Sequence, residues 1–131
     1  MTAHPSLIYL GWTALLTMLL WIPYILERIR VQGLLNAVGY PDNPPPVSAW
    51  ADRAQKAHYN AVENLAVFAP LVLASVIIGS ANDATAAAAM AYFWARLVHY
   101  VVYTFKLPWL RTLSFFVAWL ATLCVAWNVL V

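Results

Sequence analysis

Hydrophobic and polar positions along the chain fall into four long apolar runs separated by short polar breaks. The first, Leu7 to Ile25, is long enough to cross a hydrocarbon core, which takes about 20 helical residues. Pro5 suits its first turn, and Pro23 bends it near its end. Glu27, Arg28 and Arg30 then mark the water boundary. From Val31 to Ser48 the chain holds Gly33, Gly39, Pro41 and the successive prolines Pro44 to Pro46. That segment reads as an exposed loop over the mouth of a bundle. A second helix starts near Ser48, with Asp52 offering a capping arrangement, and runs to about Ile78. Gly79 to Asp83 forms a turn. A third helix runs from about Ala84 to Phe105, its first half rich in alanine and suited to close packing. Lys106-Leu107-Pro108 breaks it, and a fourth helix occupies the rest. The pattern predicts an all-α integral membrane protein, a single domain over 1–131. It is a four-helix up-down bundle with spans of about 6–28, 48–79, 84–106 and 109–131.

Composition strengthens this reading. The chain is 64% hydrophobic and 9% charged, against about 25% charged in soluble domains. A net charge of +2 without a basic run argues against nucleic acid as a partner. The lone Cys124 allows neither an internal disulfide nor a metal cluster and reads as a packing residue. Arg28, Arg30, Arg53, Lys56, Lys106 and Arg111 border the first and third connections, while the second connection and both termini carry no Lys or Arg. The positive-inside rule puts connections one and three in the cytoplasm and both termini outside. The alanine tracts and the lack of a targeting signal point to a bacterial inner membrane.

Candidate chemistry lies in two polar stripes. Arg53, Lys56, Asn60 and Glu63 recur at three, four and three residues and share one helical face. Arg96, His99, Tyr103 and Lys106 repeat that spacing on the third helix, which runs the opposite way. Glu63 and Arg96 each lie roughly 15 Å from the cytoplasmic end, so the sequence predicts a buried ion pair between them. Asn60, His99, Tyr103, Lys56 and Arg53 lie above that pair, joined by Arg28 or Arg30 and by Arg111. Together they describe a cation-lined cavity suited to a small anion with several carboxylates and an amine, reacting with something that arrives from the lipid. Helix-end Arg28, Arg30 and Lys106 fit snorkelling to headgroups equally well, and His99 fits an interhelical hydrogen bond. His58 and Asn64 lie off the stripe and read as structural. Tyr92, Trp94, Trp109 and Trp119 read as packing or interface anchors.

The run Arg53-x-x-x-Ala57-x-x-Asn60-x-x-Glu63, followed by Arg96-x-x-His99-x-x-x-Tyr103 and by Arg111, resembles the membrane-associated proteins in eicosanoid and glutathione metabolism (the MAPEG family). The likeness covers essentially the whole chain and is strongest to the microsomal glutathione transferase and prostaglandin E synthase branches. It implies a homotrimer with glutathione as co-substrate between neighbouring subunits, near the cytoplasmic side. It further implies that Asn60 and Glu63 contact glutathione, with Arg28, Arg53, Lys56, Arg96, His99 and Tyr103 around it. Arg111 would stabilise the thiolate as the catalytic residue. The family usually has Arg where Lys56 stands, and Lys lacks the planar fork that matches a carboxylate. A tyrosine that one branch places shortly after the arginine is replaced here by Ser114, Phe115 and Phe116. The implied activity is glutathione transfer to lipophilic electrophiles, or reduction of lipid hydroperoxides. A non-catalytic lipid-binding member and a small transporter are the alternatives. Four short spans with no inverted repeat and no broken helix speak against transport.

Overall fold

A computed structural model describes residues 2–131. It is all-helical, with α1 over Pro5–Leu19, α2 over Trp21–Gln32, α3 over Leu34–Val38, α4 over Ala49–Ile77, α5 over Asp83–Thr104 and α6 over Pro108–Leu130. The first apolar run is therefore divided at Leu20. Pro23 causes this, since it lacks the N–H that would bond the carbonyl four residues back and its ring crowds that carbonyl. At the break the Leu20 carbonyl accepts a hydrogen bond from the Tyr100 hydroxyl at 3.0 Å.

Two expectations for the first connection change. The helix continues past the charged boundary to Gln32, and the loop contains the short helix α3. Gly33, at φ +82°, makes the turn between them, a conformation open to glycine. Ser48 precedes α4 but makes no side-chain cap. Its hydroxyl donates instead to the Glu27 carboxylate, and Asp52 pairs with Lys56 at 3.0 Å. At the start of α5 a capping box does form, between Asn82 and Thr85.

The long helices alternate in direction. Asn82, before α5, bonds Asn128, near the end of α6, at 2.7 Å. At the opposite end Arg53 donates to the Thr104 carbonyl at 3.0 Å. Helices α4 and α5 are central, each packing on α1 and α6. Alanines form the seams: Ala51, Ala54, Ala57 and Ala61 on α4, Ala88, Ala89 and Ala95 on α5, and Ala118 and Ala121 on α6 are buried. A side chain of a single methyl at each lets backbones approach, which supplies the van der Waals contact that holds helices together in lipid.

Three segments are long and apolar enough to cross a membrane: Pro5–Gln32, Ala49–Ile77 and Pro108–Leu130. Helix α5 differs because its polar residues are covered by protein; Thr85, Arg96, His99 and Thr104 are buried among the other helices. The outward surface carries Trp12, Leu15, Met18, Val67, Trp94, Leu113, Trp119 and Leu123, all exposed. That coat suits hydrocarbon and would be costly in water. Trp94, Trp109 and Trp119 belong to it, whereas Tyr92 is buried and stacks on Phe68 with ring centroids 3.7 Å apart.

Candidate functional site

Two apolar clusters fill the interior, one around Phe68, Val72, Tyr92 and Val125, the other around Leu20, Tyr24, Ala57 and Tyr100. Between them lies a polar layer. Its centre is Arg96, which is 2% exposed. The Arg96 guanidinium donates to Asn60 Oδ1 at 2.7 Å, and its Nη2 is 3.4 Å from His99 Nδ1. Asn64 donates to the Asn60 carbonyl at 2.8 Å and to Oδ1 at 3.3 Å. Asn60 Oδ1 thus receives donors from two helices and is fixed in orientation.

From this layer the contacts climb towards the start of α6. His99 is 2% exposed and meets the Tyr103 ring edge-on at 5.6 Å, with Phe115 at 6.3 Å. The Arg111 guanidinium lies over the Tyr103 ring, 5.0 Å from its centroid, a cation–π distance. Arg53, Tyr103, Lys106 and Arg111, with Leu107 and Pro108, line a cavity of about 240 Å³. Asn60, Arg96, His99, Tyr103, Arg111 and Arg53 therefore form one connected set where α4, α5 and α6 meet.

The anticipated Glu63–Arg96 ion pair is not made. Glu63 is exposed, and Asn60 occupies the position opposite Arg96. The reason is azimuth. The buried face of α4 repeats through Ala54, Ala57, Ala61, Phe68 and Val72. At 3.6 residues per turn, Asn60 lies about 100° from Ala61, at the edge of that face, and Glu63 about 200° away. Similar depth does not make two residues face each other. Lys56 is also outside the set, exposed and paired with Asp52. Arg28 lies on the α2 side and lines a separate cavity with the first connection.

The electrostatics of the set are one-sided. The ion pairs among the described residues are Arg30–Glu27 and Lys56–Asp52, so Arg53, Arg96, Lys106 and Arg111 have no carboxylate. Arg96 Nε and Nη1 are buried without a partner, as is the Tyr92 hydroxyl one turn away. Buried charge without a counter-ion is costly, and this cluster is poised to accept an anion.

Sequence reasoning treated Asn64 as structural and missed its bond to Asn60. The four-residue interval between the two asparagines was the available signal. His58 behaves as expected, its Nδ1 2.7 Å from the Tyr24 hydroxyl, which fastens α2 to α4. After Arg111, the Ser114 hydroxyl donates to the Leu110 and Arg111 carbonyls at 2.7 and 3.0 Å, and Phe116 is half-exposed. That turn offers the cavity no free hydroxyl in place of the missing tyrosine.

A profile described as the MAPEG family matches residues 6–131. No curated protein and no solved structure matches the chain.

Proposed function

This chain belongs to the MAPEG family, and from that membership we propose that it is an integral-membrane transferase that activates the thiol of glutathione against lipophilic electrophiles or lipid hydroperoxides. The observation that carries the reading is the connected cationic set from Asn60 to Arg111, which has no acidic partner of its own. Glutathione brings two carboxylates, an amine and a thiol. Arg53 and Lys106 at the cavity rim suit its carboxylates, while the oriented Asn60 amide, His99 and Tyr103 supply hydrogen-bonding groups and a ring edge.

Arg111 is the proposed catalytic residue. It lies in the first turn of α6, where the free N–H groups of the helix add positive potential. A thiol of ordinary pKa near 8.5 is mostly protonated at neutral pH, and an adjacent guanidinium favours its thiolate. Tyr103 holds the Arg111 guanidinium against its ring, which restricts its motion and pre-orients its charge. In transfer, the thiolate sulfur bonds to the electrophilic carbon as the leaving group departs with its electron pair. The electrophile reaches the site from the lipid.

The bundle spans the membrane four times in this reading, with the polar residues of α5 sheltered from lipid, connections one and three cytoplasmic and both termini outside. It assembles as a homotrimer. Glu63 and Lys56 point away from the set within one copy, so a bound molecule would reach them only at a boundary between copies.

Ultraviolet difference absorption on adding glutathione reports thiolate, and conjugation of chlorodinitrobenzene or reduction of cumene hydroperoxide reports turnover. The parent should give both signals. Arg111→Leu should lower turnover by roughly 100-fold, the scale for removing one such electrostatic group. An unchanged thiolate signal in Arg111→Leu would defeat the assignment of that arginine.

A further inference from the structure

Asn64 stands one turn beyond Asn60 on α4, partly buried, where the helix enters the apolar run that begins at Leu65. Asparagine is a poor helix former because its amide competes for backbone groups. In a membrane span it is also costly unless it meets a partner. Its partner here is Asn60. Asn64 Nδ2 donates to the Asn60 carbonyl at 2.8 Å and lies 3.3 Å from Asn60 Oδ1.

Elementary chemistry fixes which way the Asn60 amide faces. A guanidinium has five N–H donors and no acceptor. The Asn60 atom 2.7 Å from Arg96 Nη2 is therefore its oxygen. Turning the amide over would set N–H against N–H at Arg96 and again at Asn64. With Arg96 and Asn64 both in place, the two lone pairs of that oxygen are taken.

The other end of the amide is free. Asn60 Nδ2 makes no hydrogen bond among the described residues, and it is not one of the buried polar atoms left without a partner. It opens instead on the surface of α4, where Lys56 and Glu63, four residues before and three after, are both exposed.

We propose that Asn64 is a positioning residue for the thiol site, clamping the Asn60 oxygen together with Arg96 so that Asn60 offers a donor and only a donor. The inference rests on the glutathione reading above and extends it to polarity. The group of glutathione that meets Asn60 is then an oxygen, of a carboxylate or a peptide carbonyl, and never the ammonium. Asn64 itself touches no part of the bound molecule. Its loss frees one lone pair and loosens the amide, which weakens binding without disturbing Arg111.

The test uses the full chain in detergent and separates KM for glutathione from kcat, with chlorodinitrobenzene as electrophile and the melting temperature followed alongside. Asn64→Leu should raise KM roughly fivefold, the scale of one neutral hydrogen bond, and leave kcat at the parent value. Asn64→Gln, which can still donate, should recover most of that loss. Asn60→Asp keeps an oxygen for Arg96 but puts a second oxygen where the NH2 was. It should melt no lower than the parent yet bind glutathione about tenfold more weakly, the scale of a hydrogen bond to a charged group. An Asn64→Leu variant with a lowered melting temperature and the parent's KM would overturn the proposal, because Asn64 would then be structural alone. Parent-like glutathione binding in Asn60→Asp would also overturn it. A parent with neither turnover nor a melting shift on adding glutathione would overturn the glutathione reading itself, and the proposal with it.

Discussion

Asn60 occupies the point where the two polar stripes touch, and its amide oxygen is the only strong acceptor that Arg96 has among the described residues. Removing it leaves a buried guanidinium with a single long contact to His99. Asn60→Ala should therefore destabilise the protein by about 1–3 kcal/mol, the cost of orphaning a buried polar group, as read from its denaturant midpoint. Tyr92 gives the opposite sign. Its hydroxyl is buried with no partner, so Tyr92→Phe should keep the stack on Phe68 and raise stability by up to about 1 kcal/mol. A loss of more than about 1 kcal/mol would mean that a hydrogen bond to that hydroxyl exists. The residue types of the cluster were legible from the sequence, because Arg53 and Asn60 on one helix and Arg96, His99 and Tyr103 on another recur at helical spacing, while Arg111 was read from the family resemblance. Which acceptor meets Arg96 was not. Spacing fixes the face of one helix, but the rotation of that face against its neighbour is set by the alanine seams.

At the scale of elements, Pro5 opens α1 as the sequence suggests. Asn82, read only as part of a turn, caps α5, and Pro108, read as a breaker, is the first residue of α6. Helix α3 was hidden because glycine and proline flank it so closely that its five residues carry no period. The Ser48 cap failed because the hydroxyl was claimed by Glu27 across the connection, a contact invisible in local sequence. Two helices end in the same way with different residues. After α4, Gly79 takes φ +78° while Ser80 N–H bonds the Ser75 carbonyl at 2.8 Å. After α5, Lys106 takes φ +61° while Leu107 N–H bonds the Val102 carbonyl at 2.9 Å. Both are Schellman terminations, and glycine is the residue that makes them without strain. Lys in that conformation costs on the order of 1 kcal/mol, tolerated at a position that lines the cationic cavity. Lys106→Gly should raise the thermal midpoint of the empty protein and weaken glutathione binding. A lowered midpoint would contradict the helix-termination argument.

At the scale of the whole molecule, the proposed homotrimer bears on one exposed carboxylate. Glu63 is exposed on α4 between the apolar, exposed Val62 and Val67. A carboxylate facing hydrocarbon at that depth costs several kcal/mol, whereas the boundary with a second copy can hydrate or pair it. The mass of the complex in detergent should correspond to three chains, and a uniform monomer would contradict the homotrimer. Membrane character and helical class were legible because hydropathy acts over whole segments. Assembly was not, because the same exposed leucines and tryptophans suit lipid and protein alike.

The most direct measurement of the central claim is the melting of detergent-purified protein with and without millimolar glutathione, in the parent and in an Asn60→Ala, Arg111→Leu double variant. Glutathione at 100 times its dissociation constant should stabilise the parent by about 2.7 kcal/mol and leave the variant unmoved. No shift in the parent, or an equal shift in both, would contradict a glutathione site built on this cluster.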